Sequence, residues 1–284
     1  MRLFNPDSTH WYARDGRAMH TARAADGLER PTNLRDARKL GLLPSVTNVL
    51  GVIAKPELVA WKMEQVITAA LTLPMGANEP VDAFAVRVAA DAQARGSDAA
   101  SFGTRFHEGA AALAGGSLEV DLKAPIGAWL AHYRDWLAEN VERVFWAEKR
   151  LVCGEHGYAG TADLFIVHRR HGVTLVDIKT QAVRPGAKPR KYDTWSYQLA
   201  AYRRALSEKA EPYIRCLNLV VNSLEPQPPM EVVWEEQEMA GAMLVFGSAC
   251  LIWRHEKGYD PRNAAGVQAG KEGKEGTVCC ESQR

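Results

Sequence analysis

Five cysteines in 284 residues, at positions 153, 216, 250, 279 and 280, are too few and too scattered to make a thiol framework. None stands in a CxxC pair, which argues against zinc and iron–sulfur ligation, and the odd count argues against a fully paired disulfide set. An excess of charge of one sign is also missing. Lysine and arginine number 35 against 34 aspartates and glutamates, a formal net charge of +1. Overall electrostatics therefore select no polyanionic partner, and any nucleic-acid contact needs a local basic patch. No apolar run approaches the roughly 18 residues of a membrane span. The opening stretch MRLFNPDSTHWYARDGR lacks the apolar centre of a signal peptide. These absences lead us to expect a cytoplasmic protein with no membrane partner. What is present is a globular composition: hydrophobic residues are 46% and charged residues 24%, enough apolar bulk for a full core.

The pattern changes along the chain. HWYARDGRAMH (10–20) predicts a small hairpin turning at Asp15-Gly16, and a polar, poorly periodic stretch follows to about 42. LPSVTNVLGVI (43–53) puts Ser45 or Thr47 ahead of an apolar run, where a helix N-cap belongs. Helical spacing continues over 58–71, breaks between Pro74 and Pro80, resumes over 81–95, and is followed by further helices over 97–115 and 125–140. From 143 to 180 the period becomes two, predicting three strands, the last two an antiparallel hairpin with its turn at His168 to Gly172. A helix over 194–208, a strand over 213–222, a short strand at MEVVW and a closing helix complete the pattern. Helices, three strands, a helix and more strands imply an α/β (α+β) fold with a central mixed sheet flanked by helices. The expected division is an N-terminal hairpin and polar segment (1–42), one domain over 43–260 (helical to 140, core from 141), and a disordered tail over 261–284.

One predicted strand carries the chemistry. LVDIKT (175–180) is rich in Leu, Val and Ile yet holds Asp177 and Lys179, which strand alternation places on the same face. Charges in a core-like strand are costly unless something uses them. Asp163, in GTADLF on the preceding strand, falls across from Asp177 if the hairpin pairs as expected, with Leu164, Ile166, Val176 and Ile178 on the opposite face. Two facing carboxylates repel unless a cation lies between them. Hard oxygen ligands in small number suit Mg2+ or Mn2+, which can activate water for attack on a phosphodiester. Lys179 then has a task, orienting that water and offsetting developing charge. A solvated Asp–Lys pair on an edge strand is the plainer explanation for the tripeptide alone.

The combination GTADLF…LVDIKT…YQLAAY resembles the PD-(D/E)XK nuclease superfamily, in its RecB-like and phage-exonuclease-like branch, across roughly residues 43–222. Viral and prophage recombination nucleases, CRISPR-associated RecB-like nucleases and the mitochondrial genome maintenance exonuclease belong to that branch. The resemblance implies a restriction-endonuclease-like core with an N-terminal helical extension. It implies Asp163 and Asp177 as metal ligands and Lys179 as the catalytic lysine. The family's PD dipeptide is AD here (Ala162-Asp163), which leaves the acid in place. His107, in GTRFHEGAAAL, matches the branch's upstream metal-holding histidine, although it also lies beside an apolar stripe of Phe102, Phe106, Ala110 and Leu113 where a structural histidine would sit. Gln198 and Tyr202 match the Q-x-x-x-Y motif that supports the site and the DNA; four apart, they share a helix face. Ser45 in PSVTNVL matches a serine that meets the nucleic-acid backbone, with Thr47 beside it, and both also read as caps. Glu148, in FWAEKRLV, is either a site acid or a surface charge paired with Lys149 or Arg150.

Arg184, Lys188, Arg190 and Lys191 after the catalytic strand, with Arg203 and Arg204 on the next helix and Tyr192 and Trp195 interleaved, form the local basic patch that overall charge did not supply. Cations for phosphate and aromatics for bases suit single-stranded or frayed DNA ends. A solvated loop beside an amphipathic helix has the same composition. The expected activity is metal-dependent DNA exonucleolysis in phage or prophage recombination or DNA repair, in the cytoplasm of a bacterial host if phage-encoded. A single-strand annealing or recombination protein would be a fitting partner. The alternatives are a non-catalytic DNA-end-binding scaffold and a structure-specific endonuclease.

Overall fold

In the computed structural model, which describes residues 10–117, 120–122, 125–207 and 213–263, the N-terminal segment is built into the domain rather than leading up to it. Strand β1 (Trp11–Tyr12) enters the expected turn, where Gly16 takes φ +86, a left-handed conformation that glycine adopts without a Cβ penalty. The returning arm makes a Tyr12–Ala18 bridge and accepts the Trp11 N–H at His20 Nδ1, and β1 pairs as a strand with β4 (Leu43–Pro44). The polar stretch between them holds a two-stranded ribbon, β2 (Thr21–Arg23) with β3 (Glu29–Pro31), and helix α1 (Leu34–Leu40). Asn33 and Asp36 close a capping box at the start of α1. These elements are too short to carry a readable period. Trp11, Ala37 and Leu42 share one apolar cluster with Trp253 and Tyr259 near the other end of the domain.

Ser45 caps α2 (Val46–Val49), its Oγ accepting the Asn48 N–H at 3.0 Å. Helices α3 (Pro56–Thr72) and α4 (Val81–Ala114) form a long hairpin. The sequence suggests a break near Gly96, but α4 runs unbroken for 34 residues. No proline interrupts it, and the Trp61 ring of α3 packs where a Gly96 Cβ would lie, 3.8 Å away. Helix α5 (Gly127–Asn140) then leads straight into the sheet.

That sheet has five strands in the order β5 (Val141–Cys153), β6 (Tyr158–His168), β7 (Gly172–Gln181), β8 (Arg215–Asn222) and β9 (Met230–Trp234). All neighbours are antiparallel except β7 and β8, which run parallel because α6 (Asp193–Ser207) carries the chain back between them. Helix α7 (Glu236–Lys257) closes the domain. Apolar layers cover both faces. Leu164, Ile166, Val176, Ile178, Leu217 and Leu219 pack with Phe106 of α4 and Tyr133 of α5. Leu175 and Cys216 pack on the other face with Leu199 of α6 and Phe246 and Trp253 of α7. The expected sorting of β6 and β7 side chains is therefore observed, and Asp177 and Lys179 share the α6 side with Leu175. Cys153, Cys216 and Cys250 are free, buried thiols. Pro261 to Asn263 form a turn after α7; the rest of the expected tail, with Cys279 and Cys280, lies outside the described residues. No helix among the described residues is long and apolar enough to cross a membrane.

Candidate metal centre

The β6–β7 ladder ends one step short of the two acids. Its last pair toward the site is Leu164–Val176, so Asp163 and Asp177 come next in register but do not bond as a backbone pair. Instead the Asp163 Oδ2 accepts the Ile178 N–H at 2.6 Å. A side-chain carboxylate thus takes the place of a ladder carbonyl, which lets the strands part around it. On the other side of Asp163 the β5–β6 ladder also skips a step: Ala147–Leu164 and Lys149–Ala162 pair, and between them Glu148 sits at φ +48. A non-glycine residue in the left-handed region carries strain on the order of 1–3 kcal/mol and persists only where its surroundings enforce it. Here the kink turns the Glu148 carboxylate toward the acid it faces in register.

His107 of α4 completes this group. Its Nδ1 lies 3.6 Å from Asp163 Oδ1 and 3.9 Å from Glu148 Oε1. These separations are longer than hydrogen bonds. They match ligand atoms sharing one ion, since metal–ligand bonds of about 2.1 Å put neighbouring donors roughly 3–4 Å apart. All three ligand atoms fall within 4.8 Å of one another. Burial opposes charge on the imidazole, but the carboxylates of Asp163 and Glu148 outweigh it and hold the His107 pKa up to about 10. One nitrogen and two carboxylate oxygens fit Mn2+ or Mg2+ in donor type. The set differs from the implied one, because Glu148 belongs to it and Asp177 stands just outside.

Asp177 is 2% exposed and anchored by two groups. Its Oδ2 lies 2.8 Å from Lys179 Nζ and accepts Asn218 Nδ2 at 2.6 Å, which leaves Oδ1 for an ion. Burial raises its pKa above the usual carboxylate range. Behind it Asn218, fully buried on β8, accepts the Trp234 Nε1–H at 2.7 Å through its own Oδ1. Asn218 escaped the sequence reading. Its only signal there is a polar residue inside the apolar run CLNLVV, one strand away from the acid it serves. Lys179 also donates to Gln198 Oε1 at 2.9 Å, and Gln198 Nε2 donates to the Tyr202 hydroxyl at 3.2 Å. The motif pair thus aims the lysine. Tyr202 in turn lies against Gly160, where an added Cβ would come within 2.7 Å of the ring; this is the physical content of the glycine in GTAD.

No protein-family model matches the chain, and a search of curated proteins finds no relative.

The expected DNA contacts divide. Arg184, Lys188 and Arg190 are exposed on the loop after β7, which is pinned by paired bonds between Arg190 backbone and Gln181 side chain at 2.8 and 3.2 Å. Lys191 instead pairs with Glu238 at 2.7 Å and covers the Trp234 ring. Arg203 is held in a two-pronged bond to Glu236, and Arg204 pairs with Glu155. Both arginines fasten α6 to its neighbours. Trp195 packs against the core beside Tyr192. Ser45, 3% exposed, is turned inward as a cap, and Thr47 holds its hydroxyl while staying exposed. This burial favours the cap reading of Ser45 over a contact with a nucleic-acid backbone: α2 is one turn long, and the Ser45 N-cap closes it.

A second ligand-like group, His168, His171 and Glu231, lies at the opposite end of the β6–β7 hairpin. His168 Nδ1 accepts the Arg170 N–H at 3.1 Å, so its proton sits on Nε2 and points at Glu231 Oε1, 3.1 Å away. Trp136 and Arg170 also donate to Glu231. That nitrogen has no lone pair to offer, and the group works as a structural lock on the turn.

Two measurements test this geometry. Replacing Asn218 by Ala strands the Asp177 carboxylate and the Trp234 N–H; urea unfolding should show a loss of about 1–3 kcal/mol, and calorimetry a Mn2+ affinity reduced roughly 10–100-fold. The folded pKa of His107 lies above its ordinary 6.5, so its stabilising contribution is complete below pH 6.5 and fades as pH rises toward 10. Metal-free wild type should lose urea resistance across that window more steeply than His107→Gln, and parallel curves would remove the ion-pair role.

Proposed function

We propose that this protein is a metal-dependent deoxyribonuclease that hydrolyses phosphodiester bonds from DNA ends. The observation that carries the reading is Asp163 seated between parted strands, beside Asp177 and a Lys179 that Gln198 aims along the same edge. Two acids and a lysine held this way are the constellation of metal-assisted phosphodiester hydrolysis. His107, Glu148 and Asp163 would hold Mg2+ or Mn2+, with Asp177 Oδ1 beside them. The chemistry a bound ion contributes is a lowered pKa for coordinated water and partial neutralisation of the phosphate.

The chain's own groups do the rest. Lys179, 22% exposed at its side chain, can donate to a water oxygen or to a non-bridging phosphate oxygen on the reacting edge. Gln198, fixed by Tyr202, limits the ammonium to one direction, so little ordering is needed during reaction. Asn218 stops the Asp177 carboxylate from rotating away. Arg184, Lys188 and Arg190 offer phosphate contacts on the approach to this edge. End-directed cleavage in recombination or repair follows from the resemblance of the motifs; the α3–α4 hairpin, whose residue Gly103 approaches Thr180 just past the lysine, supplies a wall on the other side.

With Mg2+ and end-labelled DNA, linear duplex and single strand should be shortened from the ends while closed circles stay intact. Lys179→Ala should keep Mn2+ binding and DNA binding and lose cleavage by about 100-fold or more. Cleaved circles would favour an endonuclease, and metal binding without any cleavage a scaffold. Separately, Lys188→Glu with Arg190→Glu should weaken DNA binding and flatten its dependence on salt concentration by about one unit of slope per lost contact. Lys191→Glu should change the slope less, because Glu238 already occupies that ammonium.

A further inference from the structure

Strand alternation should send Phe145 and Trp146 to opposite faces of β5. Both instead meet one ring. The Phe165 centroid lies 5.0 Å from that of Phe145 and 5.2 Å from that of Trp146, with interplanar angles of 31° and 29°. The cause is a bulge: Val144 pairs with Ile166 and Trp146 with Phe165, so Phe145 is an extra residue on β5. Trp146 and Phe165 are half-buried against the α6-side core, while Phe145 is 39% exposed. Two cations lie on this aromatic strip. Arg143 Cζ is 4.9 Å from the Phe145 centroid, and Lys149 Nζ is 5.5 Å from that of Trp146. Among the described residues neither side chain forms an ion pair. Strand β5 is also the outermost of its sheet, so no further strand covers it.

The strip adjoins the candidate metal centre. Trp146 stands two residues before Glu148 and Phe165 two residues after Asp163, about 7 Å along each strand. Phe165 is in register with Leu175, two residues ahead of Asp177, whereas Arg184, Lys188 and Arg190 follow the far end of β7. The metal centre therefore lies between the basic loop and the aromatic strip along the sheet. We propose that Phe145, Trp146 and Phe165 are a stacking platform for unpaired bases of single-stranded DNA, with Arg143 and Lys149 on the phosphates between those bases. This deepens the nuclease reading and rests on it for the position of the reacting phosphate. Chemistry selects the occupant. Ring faces take bases of any sequence, and cations without a carboxylate take phosphates. A base that settles on a ring releases the cation lying there to its own phosphate, so both contacts form together. In a duplex the bases already stack on one another and show only their edges, so the platform selects an unpaired strand. A polyanion without aromatic rings would use the cations and leave the platform bare.

A labelled thymidine dodecamer and an abasic strand of the same length and charge separate stacking from phosphate attraction. Both are titrated by fluorescence anisotropy onto the full chain without added metal. The parent should hold the thymidine strand more tightly by about five-fold or more for each stacked base. Phe145→Ala, at an exposed site, should lower that ratio by about five-fold. Adding Trp146→Leu, which keeps apolar bulk against the core, should bring the ratio close to one and leave the affinity for the abasic strand unchanged. Arg143→Gln with Lys149→Gln should instead weaken both strands alike and flatten the salt dependence by about 0.7 units of slope per contact. Equal affinity of the parent for the two strands overturns the proposal, and so does a ratio that survives Phe145→Ala and the double variant. Should the double variant fail to fold by circular dichroism, Phe145→Ala alone decides. The nuclease reading is judged apart, on end-labelled DNA with Mg2+. Cleavage with a parent ratio of one removes the platform alone; a base-dependent ratio without cleavage keeps the platform and removes the nuclease.

Discussion

The hydrogen bond from the Ile178 amide to the Asp163 carboxylate organises this molecule. A strand amide left without a carbonyl at the end of a ladder needs an acceptor, and here an acid from the neighbouring strand supplies it. Because that acid is charged and short, it draws the β7 amide toward itself while the two backbones diverge. The opening admits Glu148 from one side, His107 from a helix on another, and Asp177 from across the hairpin.

Three carboxylates around this opening face two cations. Imidazolium at His107 faces two carboxylates, and the Lys179 ammonium sits on Asp177. The domain can therefore fold with five titratable groups at one edge, because each acid already has a cation or an amide donor. A divalent ion held here would compete with a proton at His107, so its affinity would depend on pH. Lys179 has a second anchor besides Asp177, its hydrogen bond to Gln198. The polar chain from Tyr202 and Gln198 through Lys179 and Asp177 to Asn218 and Trp234 crosses from α6 to β9, fully bonded at each step. Buried polar networks of this kind give orientation in return for tight demands on every member.

Positive charge near the edge serves two different ends. Arg203, Arg204 and Lys191 spend their guanidinium and ammonium groups on holding α6 to α7, to the β5–β6 turn and to β9. Arg184, Lys188 and Arg190 project from a loop whose backbone is fastened by Gln181 and Asn222. The composition of the two groups is the same; only the presence of a carboxylate within reach separates a structural cation from one available to a phosphate.

Residues alone determined the layered α/β architecture, the β6–β7 hairpin, and the common face of Asp177 and Lys179, because alternation and helical spacing are local properties of neighbouring residues. They also pointed to Asp163, since a hairpin's register follows from its turn. Tertiary structure decided what local pattern does not encode. It brought Glu148 in through a left-handed kink, turned Ser45 inward, joined the N-terminal segment to the core under α7, and supplied Asn218 from a parallel strand reached only by way of α6. Each of these depends on contacts between segments far apart in the chain, where the deciding quantity is the space and the unpaired hydrogen-bonding groups left by everything else.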